Sequence, residues 1–176
     1  MNLNASLNIV RKTILNGNFL LLFLYGCSMP TEPQTLEVTI EHNLSVEDEM
    51  PVLKLEQDRW QTIHMLDIEV SVNGEPFEYA DIDFHSNLYW FVNDTMSYGK
   101  RDCLGCDIEI YGTFTENDYS PVPTSNSSSL TDDEGKTRNA IAPVRIMSND
   151  TMVIWIDVYA HGVGHKVETL KIKLEK

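Results

Sequence analysis

Ile68-Glu69-Val70-Ser71-Val72-Asn73-Gly74-Glu75-Pro76-Phe77-Glu78-Tyr79-Ala80-Asp81-Ile82-Asp83-Phe84 is the stretch that decides the fold. Apolar side chains fall on Ile68, Val70 and Val72, with Glu69 and Ser71 between them. That two-residue period is the mark of a strand with one wet face. Asn73-Gly74 is turn chemistry, since glycine supplies backbone angles that a side chain resists. Pro76 re-enters at a strand edge. Ala80, Ile82 and Phe84 then resume the alternation against Asp81 and Asp83.

The same pattern continues outward. Upstream, Trp60, Leu66, Ile68, Val70 and Val72 share the even positions, while Gln61, Asp67, Glu69 and Ser71 share the odd ones. Leu36-Glu37-Val38-Thr39-Ile40 alternates in the same way. Downstream, Ile108 and Ile110 alternate with Asp107 and Glu109. Met152, Ile154, Ile156 and Val158 make one strand face, and Leu170, Ile172 and Leu174 another. Asp133-Glu134-Gly135, Ser148-Asn149-Asp150 and Gly162-Val163-Gly164 punctuate these runs. Only Ser45 to Met50 suggests a turn of helix, from a Ser45/Asp48 pair at capping-box spacing, and Pro51 stops it. Seven or so short strands with wet and dry faces predict an all-β domain, a sandwich of two antiparallel sheets.

Residues 68–84 also resemble the early hairpin of bacterial immunoglobulin-like domains of the invasin and intimin type. Ser128-Ser129-Leu130-Thr131-Asp132-Asp133-Glu134-Gly135-Lys136-Thr137 resembles their Thr-Asp-x-x-Gly turn between two strands. Thr151 to Leu174, around Gly162-Val163-Gly164, resembles their closing strand pair. The resemblance covers roughly residues 60–174 and implies an immunoglobulin-like β-sandwich of the kind appended to surface proteins. This chain is longer than the usual module of about 100 residues. The excess falls at Ser97–Cys106 and Glu116–Ser128, where enlarged loops are expected.

Ahead of the domain, Arg11 and Lys12 precede the apolar Phe19-Leu20-Leu21-Leu22-Phe23-Leu24, and Leu24-Tyr25-Gly26-Cys27 follows. The apolar run is too short for a membrane-spanning helix, which needs roughly 20 residues. The four residues resemble a bacterial lipobox, with Tyr25 bulkier than usual. That resemblance implies a lipoprotein signal peptide over 1–26, lipidation of Cys27, and a Pro-containing tether over 27–34 leading into a domain at 35–176. Each buried CH₂ of such an anchor contributes about 0.8 kcal/mol. Ser28 after the cysteine points to the outer membrane, on its periplasmic or surface face, in a two-membrane cell.

Loss of Arg11 and Lys12 with the leader takes the formal net charge from −14 to −16. A chain this acidic repels nucleic acid and anionic headgroups, so its expected partners are the membrane through its lipid, and an envelope protein or glycan.

Cys103-Leu104-Gly105-Cys106 is the sharpest chemical motif. Outside the cytoplasm such a pair oxidises. A redox site needs a helix start to depress the thiol pKa, but Asp107-Ile108-Glu109-Ile110 reads as a strand. A zinc site needs four ligands, and no second cysteine pair exists. The reading is a structural disulfide, worth about 2 kcal/mol for so small a ring.

His161 and His165 flank Gly162-Val163-Gly164, where two imidazoles facing across a hairpin would suit copper or zinc. Trp155 and Tyr159 lie in phase, opposite the Ile154/Ile156 face, as a candidate sugar-stacking or protein-contact pair. His64 takes the apolar-facing register and is expected to be a hydrogen-bonded core or edge histidine. Asp132, Asp133 and Glu134 form an acidic turn without EF-hand spacing.

No Gly-x-Ser-x-Gly elbow, His-Glu-x-x-His helix or phosphate loop is present, so no catalytic residues and no cofactor are assigned. The expected function is a non-catalytic, lipid-anchored surface module with a structural or protein/glycan interaction role. The alternatives are a metal- or glycan-binding lipoprotein and a thiol-disulfide protein built on Cys103 and Cys106.

Overall fold

The computed structural model describes residues 33–92, 94–113 and 120–176. The expected signal peptide and Cys27 therefore lie outside the described residues. Alternation becomes strand throughout, and no α-helix forms among the described residues. In chain order the strands are β1 (Leu36–Glu41), β2 (Ser45–Glu47), β3 (Met50–Lys54), β4 (His64–Val72), β5 (Glu75–Pro76), β6 (Asp81–Ser86), β7 (Leu88–Phe91), β8 (Asp94–Lys100), β9 (Glu109–Gly112), β10 (Pro121–Pro123), β11 (Asn126–Leu130), β12 (Lys136–Ile141), β13 (Thr151–Ala160) and β14 (Gly164–Glu175). One 3-10 turn, Arg145–Met147, stands between β12 and β13.

These strands build three sheets. β1-β4-β12 forms one, with the short β5 also on β4; β11-β6-β13-β14-β3-β2 forms a six-stranded second; β10-β7-β8-β9 forms a third. The first two pack face to face. Leu66, Ile68 and Val70 of β4 and Ile141 of β12 share one buried cluster with Phe84 of β6, Ile154, Ile156 and Val158 of β13, and Ile172 of β14. Each such aliphatic side chain contributes about 1.5–3 kcal/mol when removed from water.

Passage from the first sheet to the second is held by the turns seen in the sequence. Asn73 and Gly74 adopt φ of 54° and 81°, the positive values of a two-residue hairpin. Buried Thr131 accepts a hydrogen bond at Oγ1 from the Ala80 amide at 2.9 Å and donates from it to the Phe77 carbonyl at 2.6 Å. Gly135 has φ +74°, and a Cβ there would stand 2.5 Å from the Val70 carbonyl oxygen. Any side chain at that position is excluded.

Three features depart from the sequence reading. The segments expected as enlarged loops, Ser97–Cys106 and Glu116–Ser128, instead contribute to β8, β10 and β11, and β7 to β10 form a third sheet, so the architecture is not limited to two sheets. Ser97 and Gly99 fill the inward positions of β8 and are buried, and a Cβ on Gly99 would meet Ile108 at 2.5 Å. Small and polar residues thus hide a strand from a hydrophobicity pattern. The sheets are also not wholly antiparallel, because β3 joins β14 in parallel, with Leu53 beside Leu174. Lastly, Ser45 to Met50 is not a helical turn. β2 and β3 form a hairpin with Asp48 and Glu49 at φ 49° and 65°. Positive φ at two consecutive residues is incompatible with a right-handed helix.

Candidate functional site

Strand β13 points its even residues into the core and its odd residues, Val153, Trp155, Asp157 and Tyr159, to the outer face of the six-stranded sheet. Pairing extends that face on both sides. Trp155 lies between His85 and Thr169, Asp157 between Asp83 and Val167, and Tyr159 between Asp81 and His165. β11 adds Asn126, Ser128 and Leu130 beside His85, Asp83 and Asp81. Four strands at about 4.8 Å spacing make an open sheet face about 14 Å across. Tyr159 is 46% exposed, Val167 46% and Leu130 53%.

Asp83 directly opposes Asp157, a like-charge pair that destabilises a sheet unless neighbours compensate. Here the Ser128 hydroxyl donates to Asp83, and the His165 ring Nε2 meets the Asp157 carboxylate. Protonation of His165 turns its contact into an ion pair.

Trp155 is half-buried because Arg101 covers it. The guanidinium carbon sits 5.5 Å from the Trp155 ring centre and 5.3 Å from that of Tyr89. Arg101 is placed by its backbone amide, which donates to the Asn87 carbonyl at 2.9 Å. Burial pushes the Tyr89 phenol above its ordinary pKa, partly offset by the Arg101 charge. Just beyond Arg101, Cys103 and Cys106 are joined by a disulfide with Cα atoms 5.3 Å apart. The chain then runs on to strand β9, so no helix N-terminus faces either sulfur.

His161 and His165 do not face each other, contrary to the sequence reading. The hairpin closes at Ala160 and Gly164 through a turn over 161–163, which puts His161 in the turn itself. Its ring lies against Tyr159 at 6.1 Å, while His165 pairs across from Tyr159 and engages Asp157. Among the described residues, no three His, Cys, Asp or Glu side chains are grouped to hold a metal ion. The acidic turn is committed as well: the Asp132 carboxylate accepts from the Glu134 and Lys136 amides at 3.0 and 2.8 Å.

Other features were not visible in the sequence. Asp150 was read only as turn chemistry, yet its carboxylate accepts from the Tyr98 hydroxyl and from Lys100 Nζ at 3.0 Å. Burial and that hydrogen bond push the Tyr98 pKa well above its ordinary value, and Asp150 raises that of Lys100. His64 lacks the expected bond at one nitrogen, because Nε2 is buried with no partner among the described residues. Burial, then the neighbouring His42, holds its pKa below the usual value.

No protein-family model matches the chain, and no curated protein matches it. Among solved structures it is similar to the sporulation control protein Spo0M from Bacillus subtilis, at 8% identity and a TM-score of 0.31, covering 82% of this chain and 50% of that one. The chain thus spans about half the length of that protein.

Proposed function

We propose that this chain is a non-catalytic, lipid-anchored module of the bacterial envelope. In this reading an immunoglobulin-like β-sandwich engages another envelope protein through the outer face of its six-stranded sheet. The observation that carries the proposal is the open exposure of Tyr159, Val167 and Leu130 on that face, with Trp155 beside them. Their inward neighbours already fill the core, so folding makes no demand for apolar groups at these outward positions. Exposed aromatic and aliphatic groups set among polar residues suit an interaction surface. Neither of the clefts lined by Glu41, Asp67 and Lys136 or by Trp60 and Arg145 includes a residue of this face, and an open sheet face suits a protein better than a small molecule, whose sites are concave. Support for the anchor comes from Leu24-Tyr25-Gly26-Cys27, and the Cys103–Cys106 disulfide fits an oxidising compartment.

The test places a photo-crosslinking residue at Tyr159, and separately at Glu69 on the outer face of the other large sheet, in the full chain within its native cells. A discrete cross-linked species from position 159 alone supports the reading. Identical products from both positions, or none from either, would sink it. Cys27→Ala is expected to release the chain from the membrane fraction, and retention there would remove the anchor from the proposal.

A further inference from the structure

A cleft that shares no lining residue with the sheet face is bordered by Trp60, Gln57, Arg145, Ser148, Asn149 and Lys176, with a volume of about 480 Å³. This lies within the range of ligand sites, about 300–1,000 Å³. The charged side chains that line it have the sign opposite to the chain's. The sequence carries a net −14, yet no Asp or Glu side chain lines the cleft. Lys100, Lys136, Arg138, Lys166 and Lys173 are each paired with a carboxylate. Arg145 and Lys176 have no carboxylate partner among the described residues.

The cleft is also pre-arranged. Arg145 donates from one Nη to the Gln57 carbonyl at 2.8 Å, and its backbone amide donates to the Trp60 carbonyl at 2.9 Å. Its remaining guanidinium hydrogens have no protein partner among the described residues. Trp60 is held edge-on by Trp90, ring centres 5.0 Å apart. The Ser148 hydroxyl oxygen is buried without a hydrogen bond. A fixed indole, a guanidinium with free donors, and side-chain amides and hydroxyls have a joint complement: a sugar ring that carries a carboxylate. The indole stacks the ring, Arg145 takes the carboxylate in a two-bond fork, and Gln57, Asn149 and Ser148 meet the hydroxyls.

We infer that this cleft binds hexuronate units of an acidic glycan. A peptide carboxylate would also meet Arg145 but would leave the Trp60 indole without a ring to stack, so it is the less fitting ligand. The inference is a second binding function, separate from the protein-contact face.

The test titrates the full chain with an oligogalacturonate and with its methyl ester, following tryptophan fluorescence. Saturable binding of the acid is expected, weakening as salt rises. The methyl ester and the Arg145→Gln chain are each expected to lose about tenfold or more, the scale of a hydrogen bond to a charged group. Trp60→Phe is expected to weaken binding less. Equal binding of acid and ester, unchanged affinity in Arg145→Gln, or binding of a carboxylate-terminated peptide in place of the glycan would each overturn the inference. Should Arg145→Gln fail to fold, the acid-against-ester comparison on the unaltered chain still decides. Cross-linking from position 159 is expected to be unchanged in Arg145→Gln, so failure of the glycan site and failure of the contact face are separately visible.

Discussion

The two large sheets share one core but present opposite outer surfaces. On β1-β4-β12 the outward positions pair Asp67 with Arg138 and Glu69 with Lys136, and Glu37 lies opposite Ser71. On the six-stranded sheet the equivalent positions hold Trp155, Tyr159, Val167 and Leu130 among aspartates. Both sheets obey the same alternation, and both inward faces are saturated with aliphatic side chains. Outward identity is therefore free of the folding requirement. One sheet spends that freedom mostly on charge, with Met65 exposed among it, and the other places more aromatic and aliphatic groups outward, which its own fold does not require.

The largest effect should come from the layer that the two sheets share. Ile156→Ala, at a fully buried position, is expected to lower stability by about 2–5 kcal/mol in urea unfolding. A loss below 1 kcal/mol would mean the sheets are not one packed unit, and the comparison would lose its basis. Next comes Arg101→Ala, which uncovers Trp155 and Tyr89 and is expected to cost about 1–2 kcal/mol. The same change should strengthen cross-linking from position 159 if Trp155 belongs to the contact face.

A pH effect tests an inward-facing site against the outward histidines. The folded pKa of His64 is lowered, so the folded state binds its proton less readily than the unfolded one. Stability linked to this group is fully present above the unfolded pKa and is lost as pH falls through that value toward the folded one. The urea midpoint should therefore drop as pH is lowered from about 6.5, the unperturbed histidine value, and His64→Gln should flatten the drop. An unaltered pH profile in His64→Gln would place the dependence elsewhere.

The smallest stability effects belong to the outer faces, and they sharpen the contrast. Tyr159→Ser is expected to shift stability by no more than about 0.5 kcal/mol while abolishing cross-linking by a photoprobe placed at the neighbouring Val167. Arg138→Ala is expected to leave both the urea midpoint and the cross-linking unchanged, since its ion pair with Asp67 is exposed. Equal cross-linking losses from the two substitutions would erase the distinction between the faces.

Much of the strand content was legible because apolar and polar residues alternate cleanly in β4, β6, β13 and β14. The Asn73-Gly74 turn and the Cys103–Cys106 bond were legible from local chemistry. In the third sheet, β9 was legible from Ile108 and Ile110, but β8 and β10 were not: the inward positions of β8 are held by Ser97 and Gly99, which carry no hydrophobic signal, and Pro121 and Pro123 disguise β10. The outward placement of Trp155 and Tyr159 followed from phase alone, but the Arg101 cover depends on a contact across 54 residues of chain. For His161 and His165 the motif was visible and the register was not: a three-residue turn moves one ring out of the ladder. The acidic-glycan cleft draws on separate segments of the chain, and no local pattern joins Trp60 to Arg145 and Lys176.

The parallel contact between β3 and β14 gives the domain a calendar. On the side away from β2, Val52, Leu53 and Lys54 find their partners in Lys173, Leu174 and Glu175. A chain that emerges from its N-terminus onward can form the local β2–β3 hairpin early but must hold the other edge of β3 open until residues 173–175 have arrived. Pairing over such a separation is slow and leaves apolar edges open in the interval. Completion of the six-stranded sheet is thus a late event, and a chain halted short of residue 173 would expose Val52 and Leu53 as an edge open to association.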